Sequence, residues 1–120
     1  MMTGEWRDGF PRVTLTLVSE RGTVEVDFIV DTGFNGDIAL PESLLVKLGL
    51  YPSSTHYVEL AGGFRQRCFS YQIIVNWEDE ERLVEALTLD GNPLIGNSLW
   101  SGAVLQAENM LNGEVLLESL

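Results

Sequence analysis

The stretch IVDTGFNGDIALPE, residues 29–42, carries side-chain oxygens at spacings that could do chemistry. Asp31 follows an apolar run and starts the tripeptide Asp-Thr-Gly. A carboxylate that emerges from a hydrophobic strand is partly desolvated, a threonine hydroxyl can hydrogen-bond the loop, and glycine lets a substrate approach the backbone. Asp31, Thr32 and Gly33 are therefore candidate catalytic residues, with Asp31 activating a water molecule.

The same stretch also has part of the spacing of a calcium-binding EF-hand loop. Asp31, Asn35, Asp37 and Glu42 have this spacing, whereas Gly33 brings no side-chain oxygen to a position that needs one. An EF-hand loop lies between two helices, but the preceding segment VEVDFIV alternates with a period of two and is rich in β-branched residues. Calcium binding is thus only a third hypothesis, and the sequence predicts no metal or other cofactor.

One Asp31 is not enough for hydrolysis by paired carboxylates. Two carboxylates held together share one proton, so one can act as base toward water while the other donates to the substrate carbonyl. The chain contains Asp-Thr-Gly once. A symmetric homodimer would bring two copies of Asp31 together across a two-fold axis.

The elements around Asp31 are predicted to be mostly strands. Residues 13–18 and 23–30 alternate as strands do, and the intervening Ser-Glu-Arg-Gly predicts a hairpin that enters the core just before Asp31. Residues 57–60 and 64–75 are further strand-like arms around a glycine tip that could cover a cleft. Residues 41–49 predict a short helix that ends at Gly49.

Later segments continue the β pattern. LVEALTL predicts another strand, and DGNP breaks the chain ahead of the apolar LIG. Asn97 could cap a brief helical turn. The Asn-Gly pair within MLNG predicts a hairpin near the end of the sequence. The fold class expected from these patterns is all-β, a small closed β-barrel or sandwich with one or two short helices.

Composition limits the class of protein further. The 120 residues suggest a single domain over 1–120, and 18 acidic against 7 basic residues give a formal charge of −11, which argues against nucleic acid and anionic membranes as partners. Neither a secretion leader nor an apolar run of membrane-spanning length is evident. The single cysteine, Cys68, predicts small apolar filling in a reducing compartment, so a cytoplasmic location is expected.

Three motifs resemble those of the retropepsin-type aspartic proteases, and especially their bacterial relatives in the same clan. They are FIVDTG, the hairpin LAGGFRQRCFSYQIIV and NPLIGNSLW, in this order and spacing, and the resemblance covers residues 13–100. It implies a β-barrel protomer of a homodimer, with Asp31 as the catalytic aspartate, Thr32 and Gly33 completing its loop, and a polypeptide substrate. It also implies that the hairpin tip and a second apolar motif serve the site: Ala61, Gly62, Gly63 and Phe64 at the tip, and Leu94, Ile95 and Gly96 behind the catalytic loop.

The chain departs from the viral members of that family at three points. One is the additional hairpin of residues 103–120, so the interleaved terminal sheet of viral dimers is not assumed. Phe34 stands where alanine is usual, which bears on the adjacent substrate subsite, and Asn35 is assigned to the same binding region. Asn35 and Asn97 also replace an aspartate and an arginine that commonly form an ion pair, and an amide-amide hydrogen bond is predicted in its place.

The leading hypothesis is an aspartic endopeptidase, and the alternative is a dimeric peptide-binding or scaffolding module with the same fold. The alternative is motivated by Phe34 and by the charge of −11 on each copy, because like charge opposes the association on which the catalytic pair depends.

Overall fold

The structure, a computed structural model, describes residues 1–59 and 62–120. Strands account for 58% of the chain and helix for 5%, which confirms the predicted mostly β class. The strands in chain order are β1 (Met2–Arg7), β2 (Phe10–Ser19), β3 (Gly22–Val30), β4 (Ile38–Leu40), β5 (Ser54–Glu59), β6 (Arg65–Trp77), β7 (Glu80–Thr88), β8 (Leu94–Ile95), β9 (Ala103–Ala107) and β10 (Glu114–Ser119), and the helix α1 (Glu42–Lys47) lies between β4 and β5.

The strands form one sheet in the order β5-β6-β7-β4-β8-β3-β2-β1-β10-β9, and β2 also pairs with β6. This extra pairing, at Leu17↔Val75 and Val18↔Ile74, joins six strands into a hydrogen-bonded ring of β2, β3, β8, β4, β7 and β6. The largest fully buried side chains come from several strands of this ring and include Phe28 and Trp77. The core is therefore built mainly from strands of the ring, and residues such as Leu45 of α1 and Leu117 of β10 complete it.

The predicted hairpins are present because the local patterns agree with the tertiary pairing. In β2, Val13, Leu15 and Leu17 are buried on one side, as the alternation requires, whereas β3 ends in three consecutive buried residues, 28–30. The two strands pair from Arg12↔Ile29 to Ser19↔Gly22 around a two-residue turn. Because residues 28–30 are buried, the backbone leaves the core just before residue 31.

The short helix is confirmed, and a second helix is not found in residues 1–59 and 62–120. The helix α1 follows Pro41, carries Glu42 in its first turn and Lys47 in its last, and Gly49 follows with φ of 78°. Residues 97–100 form turns rather than the helical turn that Asn97 could have capped. Across the described ranges, no helix has the length and apolar character needed to cross a membrane.

The ends of the sequence pair with each other within one chain. The strand β1, which the sequence patterns did not predict, lies between β2 and β10. The predicted terminal hairpin is confirmed as β9 and β10, with Asn112 in its turn at φ of 62°. A sheet of terminal strands can therefore form without a partner chain, and β9 lies at its outer edge.

Leu17 tests the closure of the ring, because its side chain is fully buried where β2 meets both β3 and β6. Leu17→Ala should lower the free energy of unfolding by about 2–5 kcal/mol through lost burial and a residual cavity. Leu83→Ala is the matched control, since that leucine is 66% exposed, and it should cost about 0.5 kcal/mol or less. Urea unfolding measures both values; equal losses would show that the ring does not depend on Leu17.

Candidate active site

Asp31 is the first residue after β3, and backbone hydrogen bonds hold it at the start of a tight turn. Its N–H donates to the carbonyl of Ile95 at 2.9 Å, and its own carbonyl accepts from the N–H of Phe34 at 3.2 Å. Its carboxylate oxygen Oδ1 accepts from the N–H of Gly33 at 2.8 Å. The half-buried carboxylate is thereby oriented by its own Asp-Thr-Gly turn.

The second motif lies directly beside this turn. The strand β8 runs parallel to the end of β3, with Ile29↔Leu94 and Val30↔Ile95, and antiparallel to β4 on its other side. Gly96 follows, and a Cβ added there would overlap the backbone carbonyl of Gly36. Only glycine allows the two loops to approach this closely.

Asn97 joins the two loops by side-chain hydrogen bonds. Its Nδ2 donates to the carbonyl of Thr32 at 2.8 Å and to Oδ1 of Asn35 at 3.1 Å, and its backbone N–H donates to the carbonyl of Phe34 at 2.8 Å. The predicted hydrogen bond between the two asparagines is confirmed. Ser98 adds a bond from its hydroxyl to the carbonyl of Asn35 at 2.6 Å. The loop after Asp31 is thus braced by hydrogen bonds, with no ion pair among the described residues.

The ring of Phe34 packs back onto its own loop. A Cβ at Gly36 would lie 2.6 Å from Cζ of this ring, and a Cβ at Gly96 would lie 2.8 Å from Cδ2. The side chain is half-buried. The aromatic ring therefore covers the two glycines at the crossing of the loops.

A cleft of about 420 Å³ opens in front of Asp31. Asp31 and Thr32 face it together with Leu94. Sequence patterns did not single out three other lining residues, Phe10, Asp90 and Asn92. The segment 90–92 was recognised only as a chain break, and its position in the cleft follows from the pairing of β8 with β3. The full lining is Phe10, Ile29, Val30, Asp31, Thr32, Asp90, Asn92 and Leu94.

The predicted binding residues of the glycine-tipped hairpin lie elsewhere. The arms β5 and β6 pair antiparallel from Ser54↔Ser70 to Glu59↔Arg65, as expected. Gly62 and Gly63 have φ of 89° and 81°, and Phe64 is 74% exposed. Ala61 lies outside the described residues. Among the residues that are described, neither these glycines nor Phe64 line the cleft of Asp31.

His56 and Cys68 are neighbours that the sequence alone did not bring together, because the register pairs them across β5 and β6. His56 Nε2 lies 3.0 Å from Oγ of Ser54 and 3.4 Å from Oε2 of Glu85. Both contacts use the same ring nitrogen, whereas a nucleophilic triad places acid and nucleophile on opposite nitrogens. Burial, and then the charge of Glu85, raises the pKa of the Cys68 thiol, which disfavours the reactive thiolate. This arrangement suits packing rather than catalysis.

The side chains of the calcium pattern make separate hydrogen bonds. Asn35 accepts from Asn97, while Asp37 Oδ2 accepts from the N–H of Glu85 at 3.0 Å. Glu42 Oε2 accepts a hydrogen bond from the hydroxyl of Tyr71 at 3.3 Å. The pKa of Tyr71 is raised, mainly by burial and secondly by the charge of this carboxylate. In the described part of the chain, no group of three or more His, Cys, Asp or Glu side chains is placed to hold a metal ion.

A larger cleft, of about 640 Å³, lies away from Asp31 and is lined by the β2–β3 turn, residues 48–51 and parts of β6 and β7. Its charged residues are Glu20 and Arg21, and the guanidinium of Arg21 donates to the carbonyl of Lys47 at 3.2 Å. Volume alone does not make this the reactive site, because its lining offers no paired acid and base.

The fold and the site together define a mostly β domain in which an Asp-Thr-Gly turn is braced by a Leu-Ile-Gly strand. No protein-family model, curated protein or solved structure matches the chain in comparisons with known proteins. Functional assignment therefore rests on the motifs and on the geometry of the cleft.

Asn97 provides a test of the brace between the loops. Asn97→Asp removes the donor to Thr32 and Asn35 and places a carboxylate against two acceptor oxygens, so the free energy of unfolding should fall by about 1–2 kcal/mol. Asn109→Asp makes the same chemical change at an exposed position and should have little effect. Thermal unfolding of both variants measures the difference, and similar melting temperatures would contradict a bracing role.

Proposed function

We propose that this protein is a homodimeric aspartic endopeptidase of the retropepsin-like type. The observation that carries the proposal is the position of Asp31, whose carboxylate leaves a buried strand and faces a cleft while its own turn and the Leu-Ile-Gly strand hold it in place. The closed ring of six strands supports the finer description of the protomer as a small β-barrel.

In the proposed mechanism, the Asp31 carboxylates of two copies share one proton. The ionised carboxylate takes a proton from a bound water, which attacks the peptide carbonyl, while the protonated carboxyl donates to the carbonyl oxygen. The tetrahedral intermediate then collapses, and the leaving amine receives a proton from the pair. The Gly33 hydrogen bond uses Oδ1, so Oδ2 is the oxygen that would face the water or the partner carboxyl.

Dimerisation is part of this proposal because one protomer supplies one catalytic carboxylate and an open half of the cleft. The terminal strands β1, β9 and β10 already pair within one chain, so the contact between copies would centre on the loops around Asp31. The hairpin tip would close over the peptide after binding, and its 74%-exposed Phe64 offers apolar surface for that contact.

Asp31→Asn should abolish cleavage of an unfolded protein substrate and of a diverse peptide library between mildly acid and neutral pH. The amide preserves size but cannot act as the base toward water. Asp79→Asn is the matched control, because it removes one negative charge from an exposed turn at a residue outside the cleft. Cleavage that persists in the purified Asp31→Asn protein would refute the enzymatic proposal.

A second candidate function is a dimeric peptide-binding module with the same fold. It is favoured by the position of the hairpin tip, since Gly62, Gly63 and Phe64 do not line the cleft of Asp31 among the described residues. Intact peptides across the whole pH range, together with retained dimer formation and peptide binding, would favour this function over hydrolysis.

The charge of each copy predicts how the dimer responds to solution conditions. Each protomer carries a formal −11, so association should strengthen as salt screens the repulsion or as mild acid protonates some of the carboxylates. Sedimentation at several salt concentrations and pH values measures the dimer dissociation constant. A constant that does not change with either variable would contradict the prediction.

A further inference from the structure

Asp90 is a second carboxylate on the cleft that contains Asp31. It begins the turn 90–92 just before β8, and Gly91 in that turn has φ of 108°. Asp90 is exposed, and within residues 1–59 and 62–120 it forms no salt bridge. The cleft thus presents a negative charge that the described part of the protein does not neutralise.

Apolar side chains share this cleft with Asp90. Phe10, which is 46% exposed, and Leu94 line the same cleft, and Asn92 adds an amide group. Lysine and arginine side chains have an apolar stem and a charged head, and they bury the stem while the head reaches a polar partner. A cleft that offers both apolar side chains and an exposed carboxylate is complementary to this type of side chain.

We propose that Asp90 makes the cleft select polypeptides with a lysine or arginine next to the bond held at Asp31. This inference rests on the proposed function, because it names the substrate class of the same site. The net charge of −11 supports it by attracting cationic peptides over a longer range. In a two-fold dimer each half of the cleft contains an Asp90, so a basic side chain is favoured on either side of the bond.

Two peptides that differ only in one side chain test the selectivity. One contains lysine beside the cleavage site and the other contains norleucine, which keeps the apolar stem without the charge. The wild-type protein should cleave the lysine peptide with a kcat/KM about three- to fivefold higher, as expected for a solvent-accessible ion pair. The ratio should approach one in about 1 M salt, where the screening length is about 3 Å.

Variants assign the effect to Asp90. Asp90→Asn should remove the preference for lysine, and Asp90→Lys should favour a matched glutamate peptide instead. Asp79→Asn removes one negative charge, as Asp90→Asn does, but at a turn outside the cleft, so it should keep the preference. A lysine preference that survives Asp90→Asn, or equal cleavage of the two peptides by the wild-type protein, would overturn the inference and leave the proposed protease function standing.

A binding measurement separates this inference from the question of catalysis. Fluorescence anisotropy with labelled lysine and norleucine peptides is measured on the Asp31→Asn protein and on the Asp31→Asn, Asp90→Asn double variant. Tighter binding of the lysine peptide that is lost in the double variant supports the role of Asp90, even if the wild-type protein cleaves neither peptide and the protease proposal fails. Failure of the Asp31→Asn protein to discriminate between the peptides overturns the inference.

Discussion

The close backbone contact between Gly36 and Gly96 is the constraint on which the site depends. It allows the loop after β3 and the loop after β8 to cross without side chains between them, since a Cβ at Gly96 would overlap the carbonyl of Gly36. The bonds of Asn97 to Thr32 and Asn35 can form only because the loops are this close. The orientation of the Asp31 turn is therefore a property of two sequence segments rather than one.

The closed ring of strands provides the support for this crossing. Three consecutive buried residues at the end of β3 fix the backbone that leads into Asp31, and β8 continues the ring on the side of the cleft. Burial of a mostly apolar strand is favourable, whereas an ionised carboxylate is costly to bury without partners. The chain changes from fully buried to half-buried at residue 31, so the strand stays anchored while the carboxylate remains within reach of water.

The features that were predictable from sequence are those set by local chemistry. Alternation in residues 13–18 and the Asn-Gly turn near Asn112 specify hairpins whose partners are close in sequence, and both hairpins are present. The pairing of β1 with β10 joins segments more than 100 residues apart and has no local signal. Asp90 was missed for the same reason, because its place beside Asp31 depends on the parallel pairing of β8 with β3.

The position of Phe34 could not be predicted from its residue type alone. The bulk of its side chain suggested a changed subsite next to Asp31, but the ring lies against Gly36 and Gly96. Two adjacent glycines leave a surface without side chains, and an aromatic ring that covers it removes apolar and backbone atoms from water. The large residue and the two glycines are thus complementary parts of one contact. The residues that line the cleft together with Asp31 come instead from β2, as Phe10 does, and from the turn before β8, as Asp90 does.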